Sequence, residues 1–121
     1  MKILKGITWN HTRGLLPMVA TAQRFSELNP DIEISWEKRS LQDFADHNIE
    51  DLAKRFDLMV IDHPWTGFGA KTNTILPLSD YLSADYIQDQ KENTVGKSFE
   101  SYVFGGKLWA LPIDAATPVA A

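Results

Sequence analysis

Apolar and polar positions along this chain follow two different periods in turn. Residues 2–9 (KILKGITW) alternate, with Ile3, Ile7 and Trp9 on one face, and predict a first strand. Asn10-His11-Thr12-Arg13-Gly14 is a polar loop. From about Leu15 to Leu28 the period lengthens. Leu15, Val19, Ala22, Phe25 and Leu28 recur at helical spacing, and Leu16 and Met18 broaden the stripe. Pro17 is tolerated only in a first turn, so the helix start is expected close to it, and Asn29-Pro30-Asp31 ends it. Alternation returns at 32–36, where Ile32, Ile34 and Trp36 oppose Glu33 and Ser35 in a second strand. Ser40 with Asp43 resembles a capping box for a helix carrying Leu41, Phe44, Ala45, Ile49, Leu52 and Ala53. Then Asp57-Leu-Met-Val-Ile-Asp62 runs apolar without alternation. Such a run suits a strand buried on both faces of a parallel sheet. A buried helix segment looks similar over so few residues, but Pro64 and the polar break favour the strand. The order βαβαβ, with crossover helices of ordinary length, predicts a parallel α/β sheet.

After Trp65 the character changes. Gly67-Phe-Gly69 allows close backbone turns, Lys71-Thr-Asn-Thr74 is polar, and Ile75-Leu-Pro-Leu78 is a short apolar connector. Ser79 or Ser83 is placed to cap a helix reaching Tyr86-Ile87 and Lys91, and Val95–Glu100 reads as a separate helical turn. Ser101–Phe104 and Lys107–Leu111 read as a hairpin about Gly105-Gly106. The last seven residues, from Ala115, hold no cap, charge or stop signal, and look cut in the middle of an element.

Composition narrows the function classes. A net charge of -4 with scattered lysines and arginines argues against nucleic acid and anionic membrane as partners. No apolar run is long enough to span a bilayer. With no cysteine there is no thiol nucleophile, disulfide or thiolate metal ligand. His11, His47 and His63 lack close ligand spacing, so no metal and no cofactor are expected. Gly67-Phe-Gly69 lacks the Gly-Lys-Ser/Thr ending of a phosphate loop. The first residues show no leader with a cleavage site, so the chain is read as cytoplasmic or as one whose leader is missing.

Open α/β sheets bind ligands beyond the carboxyl ends of their strands. The run at 57–62 ends in Asp62-His63-Pro64-Trp65, which puts a carboxylate, an imidazole and an indole within four residues. The competing reading makes Asp62 a cap for a helix opened by Pro64, and His63 an ordinary hydrogen-bonded loop residue. Arg13, beside a helix start, is placed to hold an anion with backbone N–H groups, or simply to be solvated.

Three stretches carry a family resemblance. They are Ala22-Gln-Arg-Phe25 through Asn29-Pro-Asp-Ile-Glu-Ile34, then Phe56-Asp-Leu-Met-Val-Ile-Asp62, and Gly105-Gly-Lys-Leu-Trp-Ala-Leu-Pro112. Their order resembles the N-terminal lobe of the extracellular solute-binding proteins of ABC transporters, in the carbohydrate-binding, maltose-binding-like group. The resemblance implies a periplasmic-binding-protein-like (class II) α/β lobe, with helices on both faces of a mainly parallel sheet. Residues 1–114 would be the lobe, and 115–121 the start of the hinge crossing to a missing second lobe. It implies a periplasmic or extracellular, non-enzymatic protein that binds a small polar solute, a sugar first of all, and docks on a membrane permease. It adds Trp9 and His11 as ligand-loop residues, an aromatic there being able to stack on a sugar ring. It adds Asp114 as an acceptor for sugar hydroxyls at the cleft near the hinge. The packing alternative for Trp9 is that it fills core, and for Asp114 that it is a surface aspartate. Trp109 is expected in core, Trp36 against a helix, and Asp80, Asp85 and Asp89 on a solvated helix face. A lobe without its partner would leave apolar surface open to dimerisation or domain exchange. The rival readings are a free-standing flavodoxin-like enzyme using Asp62, His63 and Asp114 as acid–base groups, and a ligand-sensing domain.

Overall fold

The strand covered on both sides is the first one, β1 (Lys2–Trp9), and not the apolar run at 57–62. The computed structural model describes residues 1–40 and 48–114. β1 lies between β2 (Ile32–Arg39) and β3 (Leu58–Met59), and all three strands are parallel. β2 pairs along the whole of β1, from Lys2 opposite Ile32 to Trp9 opposite Arg39. β3 pairs only at Gly6 and Ile7. Flanking bonds extend its hold: Asp57 N–H donates to the Lys5 carbonyl (2.8 Å), Lys5 N–H to Asp57 Oδ2 (2.9 Å), and Val60 N–H to the Ile7 carbonyl (2.9 Å).

Position in the sheet decides burial. Gly6-Ile7-Thr8-Trp9 is buried without a break, as a central parallel strand should be. Leu58 is exposed, and Met59, Val60 and Ile61 are only half-buried, because β3 is an edge strand among the described residues. The expected Ile3, Ile7 and Trp9 face is split as well. Ile3 lies at the exposed beginning of β1, while Ile7 and Trp9 are core.

α1 (Thr12–Leu28) begins three residues before the expected Leu15, so Pro17 falls in its second turn. The start is moved by His11, whose imidazole caps the helix, and Pro17 is carried at the loss of one main-chain bond. Of the apolar stripe, only Ala22 is fully buried. Leu15 and Met18 are half-buried, and Leu16, Val19, Phe25 and Leu28 are exposed. Asn29 closes the helix by donating to the Phe25 carbonyl through N–H (2.8 Å) and Nδ2 (3.1 Å). α2 (Ile49–Ala53) is capped by Asn48, whose Oδ1 accepts from Glu50 N–H at 2.8 Å, and it buries Ile49 and Leu52. Leu41, Phe44, Ala45, His47 and the Asp43 half of the expected capping box lie outside the described residues, as do 115–121.

The chain divides into two compact units, the first being Met1–Asp62 and the second beginning at His63. The second opens with α3 (Pro64–Thr72), which runs through the glycines read from sequence as turns. A Cβ at Gly67 would meet the Phe104 ring at 3.5 Å, an ordinary contact distance, so packing does not require glycine there. α4 (Ala84–Glu92) is capped by Ser83, which accepts from Tyr86 N–H at 3.2 Å. Ser79 instead accepts from Leu108 N–H at 3.1 Å. Asp80 lies outside α4, in a single 3-10 turn (Leu78–Asp80), and pairs with Lys107 at 3.0 Å. A second 3-10 turn (Glu100–Tyr102) falls later than the expected Val95–Glu100 turn. It leads into the hairpin of β4 (Val103–Phe104) and β5 (Lys107–Leu108). Both turn residues, Gly105 and Gly106, have positive φ (61° and 77°), the geometry a two-residue hairpin loop requires. Regular pairing stops at Leu108 rather than Leu111, although Trp109 N–H still donates to the Tyr102 carbonyl (3.1 Å).

α3 ends on Asn73, a non-glycine residue held left-handed at φ 55°. Asn73→Val, a β-branched side chain in that conformation, should cost about 1–2 kcal/mol. Asn73→Gly should leave stability equal or slightly higher, and urea denaturation of the two variants reads the difference directly.

Candidate functional site

The carboxyl ends of β1 and β3 lie side by side, since Val60 N–H, one residue past the end of β3, bonds the Ile7 carbonyl, two residues before the end of β1. The residues that follow β1 are fixed in detail. Asn10 N–H donates to the Arg39 carbonyl (2.7 Å) at the end of β2. His11 N–H reaches the Trp9 carbonyl (2.9 Å), which bends the chain into the helix. His11 Nδ1 then accepts from Arg13 N–H at 3.0 Å, so this ring nitrogen carries no proton. The His11 carbonyl receives Gly14 N–H (3.0 Å) and Leu15 N–H (2.8 Å). Histidine thus does at this helix start what serine or asparagine usually does.

Trp9 and Gly14 explain why the bend holds. Trp9 is only 7% exposed. Its indole lies against Gly14 so closely that a Cβ there would be 2.5 Å from the ring. Thr8, fully buried, donates its hydroxyl to the Gly14 carbonyl at 2.9 Å. Burying an aromatic of roughly 150–250 Å² at about 25 cal/mol per Å² is worth roughly 4–6 kcal/mol. The hydroxyl bond adds about 1 kcal/mol. Trp9 therefore fills core, with its side chain supporting the loop. The His11 ring stacks near it, at 6.4 Å and 22°. His11 and Arg13 are exposed, and Asp62 is half-buried at the last position of this unit.

In the second unit, His63 and Trp65 sit at the start of α3. His63 occupies the cap position without a side-chain cap bond, and Pro64 fills the first helical position. His63 Nε2 lies 3.1 Å from the Ser101 carbonyl, which makes it an N–H donor. The His63 ring packs on Tyr102 at 4.9 Å. Trp65 is half-buried and meets Phe68 edge-on at 5.9 Å. Asp114 is exposed, in the irregular stretch after β5. Trp109 is half-buried and donates Nε1–H to the Phe104 carbonyl at 2.9 Å.

One polar residue here escaped the sequence reading. Thr66 is fully buried, and its hydroxyl has no hydrogen-bond partner. A threonine one step beyond an indole gives no signal of its own burial. Among the described residues no group of three or more histidines and carboxylates is placed to hold a metal ion, and no helix is long and apolar enough to cross a membrane.

No protein-family model and no curated protein matches the chain. Solved structures do. The chain is similar to CpMnBP1 with mannotriose bound, at 22% identity and TM-score 0.69, over 93% of this chain and 28% of that one. It is also similar to the maltodextrin binding protein MalE1 from L. casei BL23 without ligand, at 22% identity and TM-score 0.67, over 91% of this chain and 28% of that one. The chain spans little more than a quarter of the length of each. At this identity the likeness establishes the fold. The chain has the α/β architecture, with its parallel three-stranded sheet, of part of these binding proteins.

Two substitutions read the packing around the site. Gly14→Ala must displace the Trp9 ring and should cost about 1–3 kcal/mol, measured by thermal unfolding. Thr66→Val replaces the unpartnered hydroxyl by a methyl of the same shape and should stabilise by about 1 kcal/mol. A large loss on Thr66→Val would mean that the hydroxyl is satisfied in solution.

Proposed function

We propose that this chain is one lobe of an extracytoplasmic solute-binding protein, which captures a small polar solute, a sugar, and delivers it to the membrane permease of an ABC importer. The observation that carries this reading is the neighbouring placement, within the first unit, of the β1 and β3 carboxyl ends, with exposed His11 and Arg13 after β1 and half-buried Asp62 after β3, in a fold similar to part of proteins described with mannotriose bound and as binding maltodextrin. No covalent chemistry is involved. A second lobe closes over the solute, and closure is the step the permease reads.

Each residue has a role matched to its setting. Trp65 supplies an indole face for the C–H side of a sugar ring. Asp62 and Asp114 accept hydroxyl protons, with the strength of a charged acceptor. His11 and Arg13, exposed at the capped start of α1, offer polar groups from the first unit. His63, in the second unit, is held in orientation by its bond to the Ser101 carbonyl. Trp9 acts from beneath the loop, holding Asn10–Arg13 in place through Gly14. An aromatic face with carboxylate acceptors suits the C–H faces and hydroxyls of a polyhydroxylated solute.

Calorimetric titration of a two-lobed protein carrying this chain, with mannotriose, maltodextrins and simple monosaccharides, tests the assignment. Asp62→Ala and Trp65→Ala should each weaken binding at least about tenfold, or roughly 1.4 kcal/mol, with little change in melting temperature. Identical isotherms for wild type and both variants would remove these residues from the site.

A further inference from the structure

β2 has one edge bonded to β1 and one edge open. Its odd-numbered residues turn toward β1, since Lys2 N–H reaches the Asp31 carbonyl (2.8 Å) and Asn10 N–H the Arg39 carbonyl (2.7 Å). Successive residues of a strand point their N–H and C=O groups to alternate sides. Ile34, Trp36 and Lys38 therefore present both groups to the far side, where no strand pairs with β2 among the described residues. Ile32 is already satisfied there, donating N–H to the Asn29 carbonyl (3.0 Å) and accepting from Ser26 Oγ (3.2 Å). The open stretch is thus Ile34 to Lys38. Beside it runs a groove of about 490 Å³, lined by Val19, Ala22 and Ser26 of α1 and by Ile32, Ile34 and Trp36 of β2. It lies toward the amino-terminal half of β2, away from the strand ends that carry the candidate site.

We propose that this edge pairs antiparallel with β2 of a second copy of the chain, about a two-fold axis through Trp36, to join two sheets into one. The choice of partner comes from the charges on the strand itself. Glu33, Glu37, Lys38 and Arg39 sum to zero, so two copies of this strand carry no net charge toward each other. With the axis at Trp36, Ile34 stands opposite Lys38, and Trp36 opposite its copy. These are the residues whose N–H and C=O groups face outward, so both pairs become hydrogen-bonded pairs. On the other face, Glu33 stands opposite Arg39, and Ser35 opposite Glu37. The neighbouring registers fail. An axis at Ser35 sets Glu33 against Glu37, and an axis at Glu37 sets that carboxylate against itself, which opposed strands penalise. The lysine stem at 38 covers Ile34, and the groove beside Trp36 is walled off by the partner. The carboxyl ends of the two copies of β1 point in opposite directions, so the loop at Asn10–Arg13 stays open in each.

Sedimentation velocity on the chain over a range of concentrations tests this. Wild type should show a concentration-dependent dimer. Glu33→Lys sets like charges opposite at both symmetry-related positions and should raise the dissociation constant at least about tenfold. Ile34→Pro removes an outward N–H at an edge position, where proline is tolerated, and should leave a monomer. Glu27→Lys makes the same charge change on α1 and should leave the dimer intact. Glu33 is exposed, so its variant should keep the circular dichroism of wild type even where the proline variant does not fold. A chain monomeric at every concentration, or a dimer as tight with Glu33→Lys as without it, overturns the proposal.

Discussion

The contact between the Trp9 indole and the bare Cα of Gly14 governs the first unit. Central-strand packing needs the large ring inside, and the helix that follows must begin within a few residues of it. Both demands are met only if the helix brings a residue without a side chain against the ring. Thr8 adds direction, because its hydroxyl selects the Gly14 carbonyl and so sets the rotation of the first turn. His11 can then cap α1, and the helix starts at Thr12 rather than at the expected Leu15. The bonds of Asn10 N–H to the Arg39 carbonyl and of His11 N–H to the Trp9 carbonyl then fix the path into the helix. A loop built in this way is rigid at its roots while His11 and Arg13 remain exposed, the combination a recognition loop needs.

Much of this was legible from periodicity. β1 and α1 were, and β2 was up to Trp36, although only in β2 does the alternation match one-sided burial; Gly6–Trp9 of β1 is buried on both faces and most of the α1 stripe is exposed. Their order alone was enough for a parallel α/β sheet. What misled was the apolar run at 57–62. Four consecutive apolar residues fit a central strand, yet here they belong to a short edge strand. The central strand is the one with Gly6 and Thr8 in it, which looks more polar. Composition does not reveal which strand has two neighbours. Thr8 could be buried because Gly14 supplied its partner, and no rule read along one segment sees a bond made six residues away. In α3 the glycines hid a helix. Gly67 and Gly69 are helical despite their low propensity, which a reading of glycine as a turn residue does not anticipate.

The candidate site was legible as positions more than as roles. Strand-end reasoning led to Asp62, His63 and Trp65, the resemblance to Trp9 and His11, and the expected helix start to Arg13. The structure then separates these by environment. Trp9 is buried support, His11 is a helix cap with an exposed ring, and His63 is committed through Nε2 to a carbonyl. A histidine tied to main chain on one nitrogen is held in orientation, which suits recognition. Thr66 is the residue that only coordinates reveal, a buried hydroxyl beside the aromatic start of α3.

The open edge of β2 bears on how such a chain avoids uncontrolled association. Edge strands are usually protected by charge, and β2 carries four charged residues in its last seven. Protection of that kind works best when the charges share a sign, so that every register repels. Here two acids precede two bases along the strand, and an antiparallel copy brings the first of the acids to the last of the bases. The same residues that disfavour the shifted registers therefore favour one. The groove adds to this, because the ends of α1 and β2 leave Ile34 and Trp36 only half-covered, and burying them is a gain that charge alone would not provide. Selectivity for a single register, with the apolar gain confined to one face, is what separates a specific pairing from aggregation at an edge. β2 has both features within eight residues.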